Sequence, residues 1–224
     1  MDPSHTVSVI VPFHNEELSI VHTAQVLTSL EYIAEVIFVN DCSTDGSLEK
    51  LYPYLNKIAL YNLPKHAGKT AAVLEGIKNA HGEILIFLDA DLETLNESHI
   101  RNLLKPLTEE NCDGSVGYPS ETVIDYLFIP LGGQRAYYRK DVVEVLPKLE
   151  KAKHYGLETA LNAALSDKNI KVFSLPGLGH RNKFHKKRKN KEMLKETTRW
   201  VHSVGTEYLR QGVDSATGLI KNPE

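Results

Sequence analysis

Residues 6–11 form a short apolar run rich in β-branched side chains and closed by Pro12, the pattern of a buried strand. Asn15 follows as a helix cap, with Glu16 and Glu17 suiting the positive end of a helix dipole. Leu18, Val21, Ala24, Leu27 and Leu30 then recur at helical spacing. Residues 35–40 (EVIFVN) read as a second strand, and Asp45 opens a helix reaching Tyr54. A third strand is expected over 57–62, a helix over 69–80 ended by Gly82, and a fourth strand over 83–88. Continuous apolar strands alternating with helices predict an α/β fold, a mostly parallel sheet covered on both faces. Ligands of such sheets gather beyond the carboxyl ends of the strands. The polar groups at those ends are His14, Asn15 and Glu16, then Asp41, then His66, Gly68 and Lys69, and finally Asp89 and Asp91.

The second half is less regular. Helices are expected over 98–107, 141–146 and 156–166, and strands over 113–119, 122–130 and 170–175. Gly132, Gly133, Gln134 and Arg135 read as a loop. A basic run over 181–191 precedes a helix reaching Leu209 and a polar tail. With no repeat or low-complexity linker, residues 1–224 read as one domain, in three stretches: 1–95, 96–190, and a C-terminal helix and tail over 191–224.

Composition narrows this little. The chain is 42% hydrophobic and 25% charged, with a formal charge of −3, which gives no global argument for nucleic-acid binding. Cys42 and Cys112 form neither a disulfide framework nor a zinc cluster, so a reducing cytoplasm is the expected compartment. The N-terminus lacks the order of a signal peptide, and no apolar run is long enough to span a bilayer. Any membrane contact is therefore expected at the inner surface, through the basic run 181–191.

Gly68-Lys69-Thr70 opening a helix suggests a phosphate loop, but five residues before Gly68 stands Leu63 rather than glycine, and Pro64 removes a backbone donor. The triphosphatase reading fails on that spacing. Lys69 keeps a meaning as a cation near a helix start. Asp89 and Asp91 end an apolar strand. On residue type alone they fit either a solvated turn or a hard divalent cation, Mg2+ or Mn2+, bridging carboxylate to diphosphate.

Four stretches occur in order: VSVIVPFHNEE (7–17), VIFVNDCSTDGS (36–47), KHAGKTAAVLEGIKNAHGEILIFLDADLE (65–93) and YGLETAL (155–161). Together they resemble the family 2 nucleotide-diphospho-sugar glycosyltransferases of the GT-A fold, in the branch of dolichyl- and polyprenyl-phosphate sugar transferases and glucosyl-3-phosphoglycerate synthases. The resemblance is strong over the first hundred residues and weaker to about His185. It implies a Rossmann-like sheet in which Pro12, Phe13, His14 and Glu16 line the nucleobase and Asp41 bonds its edge. The usual Asp-Asp-Gly-Ser is Asn40-Asp41-Cys42-Ser43 here, and the usual Asn-x-Gly-Lys is His66-Ala67-Gly68-Lys69.

The resemblance further implies that Asp89, Ala90 and Asp91 bind the donor, with Asp91 holding the metal and Asp89 on the ribose or in the outer shell. Lys69 lies near the diphosphate or sugar, and Glu158 near the sugar and acceptor. His180, with His185 as the alternative, is a further metal ligand, and Gly133, Gln134 and Arg135 shape the acceptor side. The expected partners are a UDP- or GDP-sugar and an acceptor bearing a phosphate: a polyprenyl phosphate, a phosphoglycerate or a cell-envelope glycan. Asp91, Glu158 and Lys69 are the expected catalytic residues. Two other readings stay open. A sugar-nucleotide pyrophosphorylase would carry a glycine-rich loop where VPFHNEE stands, and a silent nucleotide-binding module would have no use for an intact Asp89, Asp91, Lys69 and Glu158.

Overall fold

β1 (Val7–Phe13) is buried at every position, because it lies in the middle of a sheet covered on both faces. The computed structural model describes residues 5–119, 133–151 and 156–179. After β1 come α1 (Ile20–Thr28), β2 (Glu35–Asn40), a 3₁₀ helix (Glu49–Tyr54), β3 (Ala59–Asn62), α2 (Lys69–Asn79) and β4 (Ile84–Phe87). The second half adds α3 (Glu97–Glu109), β5 (Gly114–Pro119), β6 (Gln134–Tyr138), α4 (Arg139–Leu149), α5 (Leu157–Ala164) and β7 (Ile170–Leu175).

The strand order is β3-β2-β1-β4-β6-β5-β7. β3, β2, β1 and β4 are mutually parallel, β6 runs antiparallel to both β4 and β5, and β5 and β7 are parallel. Successive side chains point to opposite faces. Val9, Val11, Phe38, Ile84 and Ile86 therefore meet α1 and α3, while Ile10, Ile37, Leu85 and Phe87 meet α2, α4 and α5. This is the doubly covered α/β sheet that the apolar runs predict. No helix among the described residues is long and apolar enough to cross a membrane.

Several boundaries differ from expectation for identifiable reasons. β1 continues through Pro12 to Phe13, because β4 pairs with it only as far as Ile10 and so needs no donor from Pro12. Asn15 does not cap α1. It takes a left-handed backbone, φ 58°, and its Oδ1 accepts from the Thr44 and Asp45 amides at 2.8 and 3.3 Å, so α1 starts at Ile20 and Leu18 stays exposed. Asp45 is likewise spent on a turn, accepting from the Ser47 and Glu17 amides, and the helix expected there shrinks to the 3₁₀ segment containing Pro53.

The largest correction is β6. Residues 134–135, read as a loop, begin a central strand paired with β4 and β5, Phe87 lying opposite Arg135. The strand expected over 122–130 and everything after Gly179, including the helix to Leu209, lie outside the described residues.

Gly82 leads into β4 against β1. A Cβ there would sit 2.6 Å from the Ser8 amide nitrogen and 2.9 Å from the Val7 carbonyl carbon, backbone that cannot yield. Gly82→Ala should cost about 1–3 kcal/mol in chemical denaturation, the range of overpacked sites; an unchanged midpoint would contradict the close approach.

Candidate functional site

The loops after β1 and β2 are stitched together before either reaches the crevice. The Asn15 amide donates to Ser43 Oγ at 3.1 Å and the Glu16 amide to Ser47 Oγ at 2.8 Å. Asp41, at the tip of β2, is 2% exposed, and its carboxylate accepts from the Ala67 amide at 2.7 Å and the Gly68 amide at 2.8 Å. Those donors precede α2, so one buried carboxylate orients the turn that launches Lys69. His66 Nδ1 lies 2.8 Å from Asp41 Oδ2, and His14 Nδ1 lies 2.7 Å from the Asp41 carbonyl oxygen. Cys42 adopts φ 56°, a conformation that glycine takes at less cost, which gives the cysteine-for-glycine departure a physical meaning.

At the tip of β4 the charges converge. Lys69 Nζ lies 2.7 Å from Asp89 Oδ1 and 2.7 Å from Glu158 Oε1, so one ammonium joins α2, the end of β4 and the first turn of α5. Burial disfavours its charge, yet the two carboxylates outweigh that and hold Lys69 well above the ordinary lysine value. The second oxygen of Asp89 accepts from Gln134 Nε2 at 3.0 Å. Gly133 makes room for this: a Cβ there would lie 2.2 Å from Asp89 Oδ2. Asp91, two residues on, is buried. A small cavity at this point is lined by Pro12, Lys69, Gly133, Arg135, Leu157 and Glu158, among others.

The expected site residues thus divide. His14, Asp41, Lys69, Asp89, Gly133, Gln134 and Glu158 are tied to one another, directly or through a neighbour, around the ends of β1, β2 and β4. The Phe13 ring instead packs edge-on against Phe38 in the core, and Ala90 is buried there too, so these two offer the crevice backbone only. Arg135 is 1% exposed and donates to Tyr137 Oη at 3.0 Å and Asn162 Oδ1 at 2.6 Å. Glu16 is half-buried, its carbonyl accepting from the Ser19 and Ile20 amides. His180 and His185 lie outside the described residues. The loop leading to His180 is nevertheless fastened near Asp91: Thr94 Oγ1 donates to the Gly177 carbonyl at 2.5 Å, and the Glu93 amide to the Gly179 carbonyl at 3.0 Å.

Sequence reasoning missed two features. Gln134 holds Asp89, a pairing hidden because β6 opens on polar residues after two glycines. His14, Asp41 and His66 also form a cluster whose ligand atoms lie within 4.8 Å of one another; the signal was two histidines flanking the same strand tip in adjacent loops.

A sheet in this order, with its acidic and cationic groups at the carboxyl ends of β2 and β4, is a GT-A fold. The family model described as glycosyl transferase family 2 matches residues 8–140, more than half of the chain, and the chain belongs to that family. An uncharacterised glycosyltransferase of Synechocystis sp. is 37% identical over 94 residues, which is 39% of this chain and 30% of that protein. A dodecaprenyl-phosphate galacturonate synthase of Rhizobium johnstonii is 29% identical over 120 residues, 50% of this chain and 35% of the other. The chain spans about a third of the length of these curated relatives. Among solved structures, glucosyl-3-phosphoglycerate synthase from Mycobacterium tuberculosis, crystallised with Mg2+ and UDP, has a TM-score of 0.76 at 21% identity, covering 95% of this chain and 82% of that one. At that identity the likeness shows the fold.

Lys69→Met tests the ammonium bridge. It leaves Asp89 facing Glu158, which should cost about 2 kcal/mol near neutral pH, less than a fully enclosed pair because all three side chains keep some solvent. That cost comes from two negative charges left facing each other, so the deficit should shrink in acid. In the wild type the raised lysine value makes its contribution complete below the ordinary 10.5 and lost only as pH rises through the higher value. Denaturation midpoints of both proteins across pH check this; a pH-independent deficit would contradict it.

Proposed function

We propose that the chain is the catalytic region of a glycosyltransferase that uses a divalent cation to move a sugar from a UDP- or GDP-sugar to a phosphate-bearing acceptor. The observation that carries the reading is the convergence of Lys69, Asp89 and Glu158 at the tip of β4, one loop away from the buried Asp41.

The donor set fits a hard cation. Oxygen ligands at a strand tip are what Mg2+ and Mn2+ prefer. Among the described residues there, the carboxylates Asp89, Asp91 and Glu158 exceed the cations Lys69 and Arg135 by one. Asp89 has its oxygens engaged by Lys69 and Gln134, so it acts in the outer shell or on the ribose, and Asp91 is the carboxylate that would hold the ion. His180 as a further ligand draws support from the anchoring of residues 177–179 beside Glu93 and Thr94. When bound, the ion supplies Lewis-acid stabilisation of the negative charge gathering on the departing nucleoside diphosphate.

The protein's own groups do the rest. Asp41 accepts from the base edge, with His14, Pro12 and the backbone of Phe13 beside it. Lys69 fixes Asp89 and Glu158 and adds a positive charge beside the diphosphate. Glu158 orients sugar or acceptor hydroxyls; a phosphate acceptor arrives ionised and needs little help from a base. Gly133, Gln134 and Arg135 border the acceptor side.

A solved neighbour and a sequence relative support the substrate class. The Mycobacterium tuberculosis synthase is seen with Mn2+, UDP-glucose and phosphoglyceric acid, and the Rhizobium relative is named for a polyprenyl phosphate. The basic run 181–191 suits the same anionic acceptors, or an anionic membrane surface facing the cytoplasm, at about 1 kcal/mol per residue close to lipid.

A thermal-shift panel of UDP- and GDP-sugars with Mn2+ should identify one donor that stabilises the chain. Asp91→Ala should abolish the metal-dependent part of that shift, and an unchanged shift would discredit the assignment. Slow Mn2+-dependent hydrolysis of the donor separates an enzyme from a silent binding module, which would bind without turnover.

A further inference from the structure

His14, Asp41 and His66 sit on the loop after β1, at the tip of β2 and on the turn before α2. Their potential ligand atoms all fall within 4.8 Å of one another. The two imidazole rings lie 4.3 Å apart, centroid to centroid, tilted by 35°. We infer that these three side chains form a second metal site, for a single borderline transition ion of the Zn2+ class, and that an ion held there shuts a nucleobase out of the Asp41 slot. The exclusion rests on the donor reading above; the ion site does not.

The donor set sorts the metals. Two imidazoles and one carboxylate suit Zn2+, with bonds of about 2.0–2.2 Å and an open fourth position, whereas Mg2+ favours oxygens and keeps its waters. The oxygen-rich tip of β4 and the nitrogen-rich tip of β2 therefore select ions of different hardness.

The cluster is also held from behind, as metal ligands are. Amide donors from Ala67 and Gly68 fix both oxygens of Asp41. The His14 ring is oriented by the Asp41 carbonyl, which accepts from Nδ1 at 2.7 Å and leaves the Nε2 lone pair for a ligand; the Asn15 amide group, 3.2 Å away, now occupies it. The His66 side chain is 60% exposed and free to swing by the small distance that replaces its 2.8 Å contact with Asp41 by a shared ion. Because Asp41 would face both the ion and a base edge, one carboxylate cannot serve both at once.

Calorimetric titration of Zn2+ alone into the nucleotide-free chain tests the site. Wild type should take up one ion per chain, His66→Asn and His14→Gln should each weaken that uptake at least tenfold, and Mn2+ titrations should be unchanged by either substitution. Because His66 is mostly exposed, His66→Asn should melt as wild type does, so lost Zn2+ uptake cannot be ascribed to unfolding. Equal Zn2+ affinity in all three proteins, or no uptake by wild type, overturns the site. UDP or GDP, whichever binds with Mg2+, should then release the bound Zn2+ to a chromophoric chelator. Retention of Zn2+ alongside the bound nucleotide overturns the exclusion. Failure of both UDP and GDP to bind the zinc-free chain overturns the donor reading and the exclusion with it, while the ion site stands on its own titration.

Discussion

One ammonium holds the crevice together. Lys69 is the first residue of α2, a position where a helix dipole disfavours a cation, and burial disfavours it further. It persists because Asp89 and Glu158, from the two halves of the chain, each lie 2.7 Å away. The bridge works in both directions. The lysine makes two crowded carboxylates tolerable, and they hold its pKa above the ordinary lysine value. Without it, the tip of β4 and the start of α5 would repel one another at the place proposed for the substrate.

The other supports serve the same end. Asp41 ties the tip of β2 to the turn before α2, so the acid at the end of that strand also aims the helix that carries Lys69. Gln134 completes the shell of Asp89 from β6, and Gly133 clears the space for it. The loops after β1 and β2 exchange hydrogen bonds through Asn15, Ser43 and Ser47, which leaves His14 poised over Asp41 rather than loose in solvent.

Much of this was legible in the amino-acid order. Apolar runs with no polar interruption marked β1, β2 and β4 and required both sheet faces to be covered. The segments following β2, β3 and β4 held Asp41, Lys69 and Asp89, at the strand ends where parallel sheets gather their ligands. What escaped was written in tertiary terms. β6 opens with Gln134 and Arg135, polar residues that a strand buries only because Asp89, Tyr137 and Asn162 await them in space. Asn15 looks like a helix cap until Thr44 and Asp45, some thirty positions away, supply better partners. Phe13 follows β1 into the core, since alternation along the strand points it at Phe38.

A crystal structure of the chain with UDP and Mn2+ would test the central claim most directly. The account predicts the base against Asp41, the diphosphate and ion beside Asp91, and Lys69 still joined to Asp89 and Glu158. Nucleotide density at the opposite ends of the strands, or a Lys69 side chain turned out to solvent in that complex, would contradict it.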